Sequence, residues 1–266
     1  MNQSTGYPKT WTHTQDPFRS FYGDPIPQEE TISGMADTPK TILIFAAHPD
    51  DCDVACGGSA AKWAAQGHRV ILCVATNGEK GSEDPEMTPE RLVQIREPEQ
   101  RKAAEIMGIQ EVIFLPNRDG TLEDTYEFRG QIVRLIRKYR PDRVLTHNPY
   151  RWQHRDHRMT GRVTLDAAYP YARDRLHYPE LEAEGIAPHK VAEVYLFGGL
   201  GEDGEADVEE DITEFAETKL QALACHVTQF GPAEEVQQRW RARWEERSKN
   251  GDGRLTEHFK RVEFRV

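Results

Sequence analysis

Long apolar runs are missing from this chain of 266 residues. No stretch approaches the roughly 18 residues that a membrane-crossing helix needs. The first residues also lack the charged-then-apolar order of a secretion signal. The expectation is therefore a cytoplasmic protein with no membrane span. Cysteine is scarce: Cys52, Cys56, Cys73 and Cys225 have no zinc-finger spacing and are too few for a disulfide framework. Cys52 and Cys56 share one helical face, but two thiols alone do not complete a tetrahedral site. Positive charge is in deficit, with 34 Lys and Arg against 45 Asp and Glu for a net charge of −11. The sequence pI is near 5.4 and the mean hydropathy is −0.75. These values argue for a soluble protein and against nucleic acid as a partner. The dinucleotide fingerprint G-x-G-x-x-G is absent from the first strand-helix turn.

What is present is an alternation of strands and helices. Ile42 to Gly58, ILIFAAHPDDCDVACGG, reads as a buried strand, a polar loop and a helix start. Further strands are expected at His68–Ala75, Glu111–Leu115, Arg143–Thr146 and Val191–Gly199. Helices are expected over Thr88–Gly108, broken or kinked at Pro98, and over Phe128–Tyr139. The pattern is that of an α/β, Rossmann-like fold, a mostly parallel sheet with helices on both faces. Residues 1–39 read as an extended arm, and residues 40–266 as a single domain with a C-terminal helical segment over about 213–250. Glu202–Glu210 reads as a solvated acidic loop, and FKRVEFRV at the end as an edge strand. Trp240 and Trp244, at i and i+4 on a helix, read as packing residues.

The chemistry-bearing residues fall where a parallel sheet collects its functional groups, at the carboxyl ends of strands. His48-Pro49-Asp50-Asp51 follows the first strand. Imidazole and carboxylate are good ligands for Zn²⁺, and a catalytic zinc keeps three protein ligands and an open position. Acidic residues before a helix also complement its dipole, so Asp50, Asp51 and Asp53 taken alone read equally well as a charge cluster. His147, His154 and His157 follow the fourth strand, at the same edge. Each alone is most simply a solvated surface residue, whereas HPDD and HRDH together point to one shared site. Asp156 is expected as a helix N-cap or as a partner of an imidazole.

Together AHPDDCDVACGG, TNGEKGS, IREPEQRKAAEIMG, RPDRVLTHNP and HRDH resemble the PIG-L/LmbE family of zinc-dependent N-deacetylases. That family includes deacetylases of the mycothiol and bacillithiol pathways and the GlcNAc-phosphatidylinositol de-N-acetylase. The resemblance covers residues 42–168 strongly and continues weakly through KLQALACHVTQF. It implies that His48, Asp51 and His157 bind zinc, that Asp50 is the general base, and that a cationic His154 stabilises the oxyanion. By the same resemblance Arg96 and Asp119 are substrate contacts. The substrate it implies is a small amino sugar or its conjugate, and some relatives form homo-oligomers. Departures exist: Cys52-Asp53 stands where a Glu is usual, and Trp152 where some members carry a Tyr. Fe²⁺ or another divalent ion fits the same ligands, because two His and one carboxylate also describe an oxygenase triad. An amidase acting on a related sugar-thiol conjugate and a protein whose metal site is not catalytic are further alternatives.

Overall fold

A computed structural model describes residues 38–198, 206–249, 251–262 and 264. The expected arm lies outside the described residues, apart from its last two. The strands are β1 (Thr41–Ala46), β2 (Arg69–Thr76), β3 (Glu111–Asn117), β4 (Arg143–His147), β5 (Glu193–Phe197), β6 (Val208–Asp211) and β7 (Thr256–Val262). Between them lie helices α1 (Asp51–Ala65), α2 (Pro89–Ile106), α3 (Tyr126–Tyr139), α4 (Arg155–Asp166) and α5 (Pro179–Ala183). Helices α6 (Ala216–Leu223), α7 (Val227–Phe230) and α8 (Ala233–Lys249) precede β7. The seven strands form one sheet in the order β3-β2-β1-β4-β5-β7-β6. The first five are parallel, and β7 pairs antiparallel with both β5 and β6.

The continuous apolar runs of β1 and β2 follow from burial on both faces. Leu43 and Phe45 pack with Ile132, Ile136 and Val163 of α3 and α4. Their neighbours Ile42, Ile44 and Ala46 pack with Ala60, Trp63, Ala103 and Ala222 of α1, α2 and α6. The α/β architecture is the one expected from the sequence. Between β1 and β4 the winding reverses, which opens a crevice at the carboxyl edge. Among the described residues no helix is long and apolar enough to cross a membrane.

Three local expectations are corrected. Helix α2 passes through Pro98 without a break. Pro98 and Gln94, whose carbonyl loses its partner, both face solvent, so water satisfies the free oxygen while the opposite face stays packed. The described end of the acidic stretch is a strand, β6, and not a loop. The final strand is not at the edge, because β7 lies inside β6.

Helix α1 departs from helical geometry at Cys56 (φ −145, ψ 19). A buried ion pair occupies the backbone groups around this break. Glu257 of β7 accepts from the amides of Gly58 (3.0 Å) and Ser59 (2.8 Å), while Lys219 of α6 donates to the carbonyl of Val54 (2.8 Å) and lies 2.5 Å from Glu257. The thiols of Cys52 and Cys56 are buried, 3.7 Å apart.

Gly161 lets α4 lie directly on the end of β4. A Cβ there would stand 2.2 Å from the carbonyl oxygen of His147. Gly161→Ala should lower stability by about 1–3 kcal/mol through overpacking. A denaturant midpoint equal to that of the parent would show that α4 and β4 separate freely.

Candidate metal centre

The loop between β1 and α1 folds onto the Asp51 carboxylate. Oδ2 of Asp51 accepts from the amides of Ala47 (3.1 Å) and His48 (2.7 Å), which fixes the carboxylate at the mouth of the crevice. Three ligand-type groups then meet. His48 Nδ1 lies 3.2 Å from His157 Nε2, His157 Nε2 lies 3.0 Å from Asp51 Oδ1, and His48 Nδ1 lies 3.5 Å from Asp51 Oδ2. Ligand atoms on a tetrahedral ion with bonds of about 2.0–2.1 Å stand about 3.3–3.4 Å apart, so the spacing fits one divalent cation. Two other groupings of potential ligands overlap this one, His48/His154/His157 and Asp51/His147/His157, and a third joins His48 to Asp119 and Asp156.

The charges of the cluster suit a cation. Burial opposes ionisation of Asp51, yet the imidazoles of His147, His157 and His48 hold its carboxyl well below the usual range. Burial also opposes a charged His48, but Asp119, Asp156 and Asp51 outweigh it and push the imidazole up to about 12.

Comparison with known proteins decides the family. Residues 43–168 match the family model of PIG-L, GlcNAc-PI de-N-acetylase. The diacetylchitobiose deacetylase of Thermococcus kodakarensis is 32% identical over 203 residues, covering 76% of this chain and 73% of that protein. The chain belongs to the PIG-L family. Among solved PIG-L-like folds, the N,N'-diacetylchitobiose deacetylase of Pyrococcus horikoshii aligns with a TM-score of 0.75 and 26% identity, over 84% of each chain. GalB, a 4-carboxy-2-hydroxymuconate hydratase from Pseudomonas putida, aligns at 0.70 and 24% identity over 85% of this chain and 98% of its own. The fold thus also carries chemistry other than deacetylation.

Within this PIG-L site the structure gives each expected residue its neighbours. His154, not Asp156, is the N-cap of α4, its Nδ1 accepting from the Asp156 amide at 3.2 Å. Asp156 takes the other expected place, beside an imidazole: it accepts from the amides of Gly120 (2.6 Å) and Leu122 (3.3 Å) in the loop after β3, and its Oδ2 lies 3.6 Å from His48 Nε2. Asp119, expected at the substrate, is closer to that nitrogen, at 3.1 Å, and its other oxygen accepts from the Lys80 amide. Arg96, like Asp119, lines the cleft that holds Asp50; it is buried and donates to the carbonyls of Pro49, Gly78 and Lys80 and to the Asp50 carboxylate. Its guanidinium faces protein acceptors because α2 packs under the β1–α1 loop.

His147 stood outside the expected ligand set. Its Nε2 is 3.2 Å from Asp51 Oδ2, and its ring stacks on His157 at 4.2 Å and 18°. Burial brings its pKa down to about 4, with the neighbouring His157 and His48 adding to the effect against Asp51. Its place as the last residue of β4, at the functional edge, was the signal available in the sequence. His154 is also held below its ordinary value, by burial and by the charges of His48 and His157. With Nδ1 accepting, its Nε2 carries the proton.

Asp50 projects into a cleft of about 280 Å³ that His48, His154 and His157 share, with Lys80, Gly81 and Gln229 on its wall. Burial, then the charge of Asp51, pushes its carboxyl from 3.8 up to about 7, while Arg96 and His226 pull the other way. A carboxyl whose pKa rises on folding contributes stability that is present below its unfolded pKa and lost as pH climbs through the folded one. In metal-free protein, Asp50→Asn should therefore raise Tm relative to the parent at pH 8, with the gain shrinking toward pH 4. A gain that does not vary with pH would contradict this assignment.

Proposed function

We propose that the chain is a metal-dependent hydrolase that removes the N-acetyl group from an N-acetylglucosamine-type amino sugar or conjugate. The observation that carries the reading is the convergence of His48, Asp51 and His157 within 3.5 Å of one another beside the carboxylate of Asp50, which no ligand position requires. Membership of PIG-L and the likeness to diacetylchitobiose deacetylases support the substrate class. His48, Asp51 and His157 would hold the ion, with Asp119 keeping the His48 proton on Nε2 so that Nδ1 faces inward. A Zn²⁺ bound there supplies a water of lowered pKa and polarises the acetamide carbonyl.

The remaining work belongs to the protein. Asp50 accepts the proton of the attacking water and returns it to the departing amine, a double duty suited to a carboxyl tuned near neutrality. His154 donates from Nε2 to the oxygen on which negative charge develops. Arg96 orients Asp50 from the wall of the cleft, and His147 steadies Asp51 and His157 from behind. Acetate and a free amine result.

The roles separate by substitution. His48→Ala should lose both metal and acetate release from N,N'-diacetylchitobiose. Asp50→Ala should retain zinc and lose about 10²–10⁴ in kcat, and His154→Ala about 10²–10³. Full turnover in a zinc-loaded Asp50→Ala protein would remove Asp50 as the base. Elemental analysis of anaerobically purified protein together with oxygen uptake separates this reading from an iron oxygenase.

A further inference from the structure

Asp50 holds a backbone conformation that a non-glycine residue seldom adopts, with φ 93 and ψ −27. Such a conformation persists only when the surroundings determine it. The Asp50 amide donates to Gln100 Oε1 at 2.7 Å, and the preceding carbonyl, that of Pro49, accepts from Arg96 at 2.8 Å. Arg96 and Gln100 are four residues apart and share one face of α2. Arg96 thus holds the carboxylate and the peptide before it, and Gln100 the peptide nitrogen.

Gln100 is itself keyed. Its Nε2 donates to Asp53 Oδ2 at 2.9 Å, and a carboxylate only accepts, so the amide cannot turn over and Oε1 must face Asp50. Asp53 in turn lies 3.4 Å from His226 Nε2, in the turn before α7. Gln100, Asp53 and His226 are all fully buried, and of the four residues only Asp50 lines the cleft. A buried carboxylate and imidazole are no gain in stability over well-packed apolar residues of the same volume. What they do provide is a fixed direction for one hydrogen bond.

We propose that Gln100, locked by Asp53 with His226 close behind it, is a positioning residue that sets the backbone of Asp50 and thereby aims its carboxylate into the cleft. The inference rests on the reading of Asp50 as the base. It also gives His226 a function at the site, although His226 does not itself line the cleft.

The test uses zinc-reconstituted full-length protein and N,N'-diacetylchitobiose. Gln100→Leu should keep its zinc and hold KM within about threefold while kcat falls on the order of 10²-fold, the size of effect expected for a displacement of about 1 Å. Gln100→Glu should fall similarly, since it opposes Asp53 with a second carboxylate. Adding Asp53→Asn to Gln100→Glu reverses donor and acceptor along the chain and should recover at least tenfold in kcat over Gln100→Glu alone. If Gln100→Leu does not fold, that double variant decides. Wild-type kcat in Gln100→Leu, zinc loss in step with kcat, or no recovery in the double variant would each overturn the proposal. A crystal structure of Gln100→Leu gives a readout free of activity: Asp50 should leave positive φ, and an unchanged Asp50 would also overturn it. Asp50→Ala run alongside separates the two levels. Retained turnover there defeats the base assignment itself, whereas lost turnover there with full activity in Gln100→Leu defeats only the positioning role.

Discussion

The Asp51 carboxylate is the junction on which the site depends. One oxygen gathers the amides of Ala47 and His48 and faces His147, and the other faces His157. Four pieces of the fold, the end of β1, the start of α1, the end of β4 and the first turn of α4, are thereby tied to one group. A carboxylate in that place is held charged against its burial, and three imidazoles crowd around it. An assembly of this kind is unfavourable in an apolar interior unless opposite charge is present, and either protons or a divalent ion can supply it.

The sheet makes this junction geometrically inexpensive. Strands β1 and β4 are adjacent and parallel, with Phe45 opposite Thr146, so their exits emerge side by side. Gly161 allows α4 to start its course against His147 with no side chain between. On the other side α2 lays Arg96 and Gln100 under the loop. The reactive groups thus project from loops a few residues long, and each loop is anchored at both ends in regular structure.

Much of this was legible in the sequence, and the reasons are specific. The unbroken apolar runs of β1 and β2 could be read as buried strands because both faces are covered. HPDD and HRDH stood out because each follows such a strand, and the structure brings His48, Asp51 and His157 within 3.5 Å of one another. What could not be read depends on contacts distant along the chain. The acidic VEED of β6 is a strand only because β7, more than forty residues later, pairs with it. Asp119 turned toward His48, and Gln100 toward Asp50, through the placement of loops that no local spacing encodes. Pro98 looked like a break because solvent exposure of that helical face is not visible in a linear string.

Glu257 carries a consequence for the order of events during synthesis. It belongs to β7, the last of the described strands to be made, yet it closes the amides at the break in α1, the helix that begins with Asp51. β7 also lies between β5 and β6, so the sheet has a gap until it arrives. Strands β1 to β5 all precede β7 in the chain, but the amides at the break in α1 are closed by a residue of β7. A chain cut before β7 would keep HPDD and HRDH without the brace that Glu257 sets under α1.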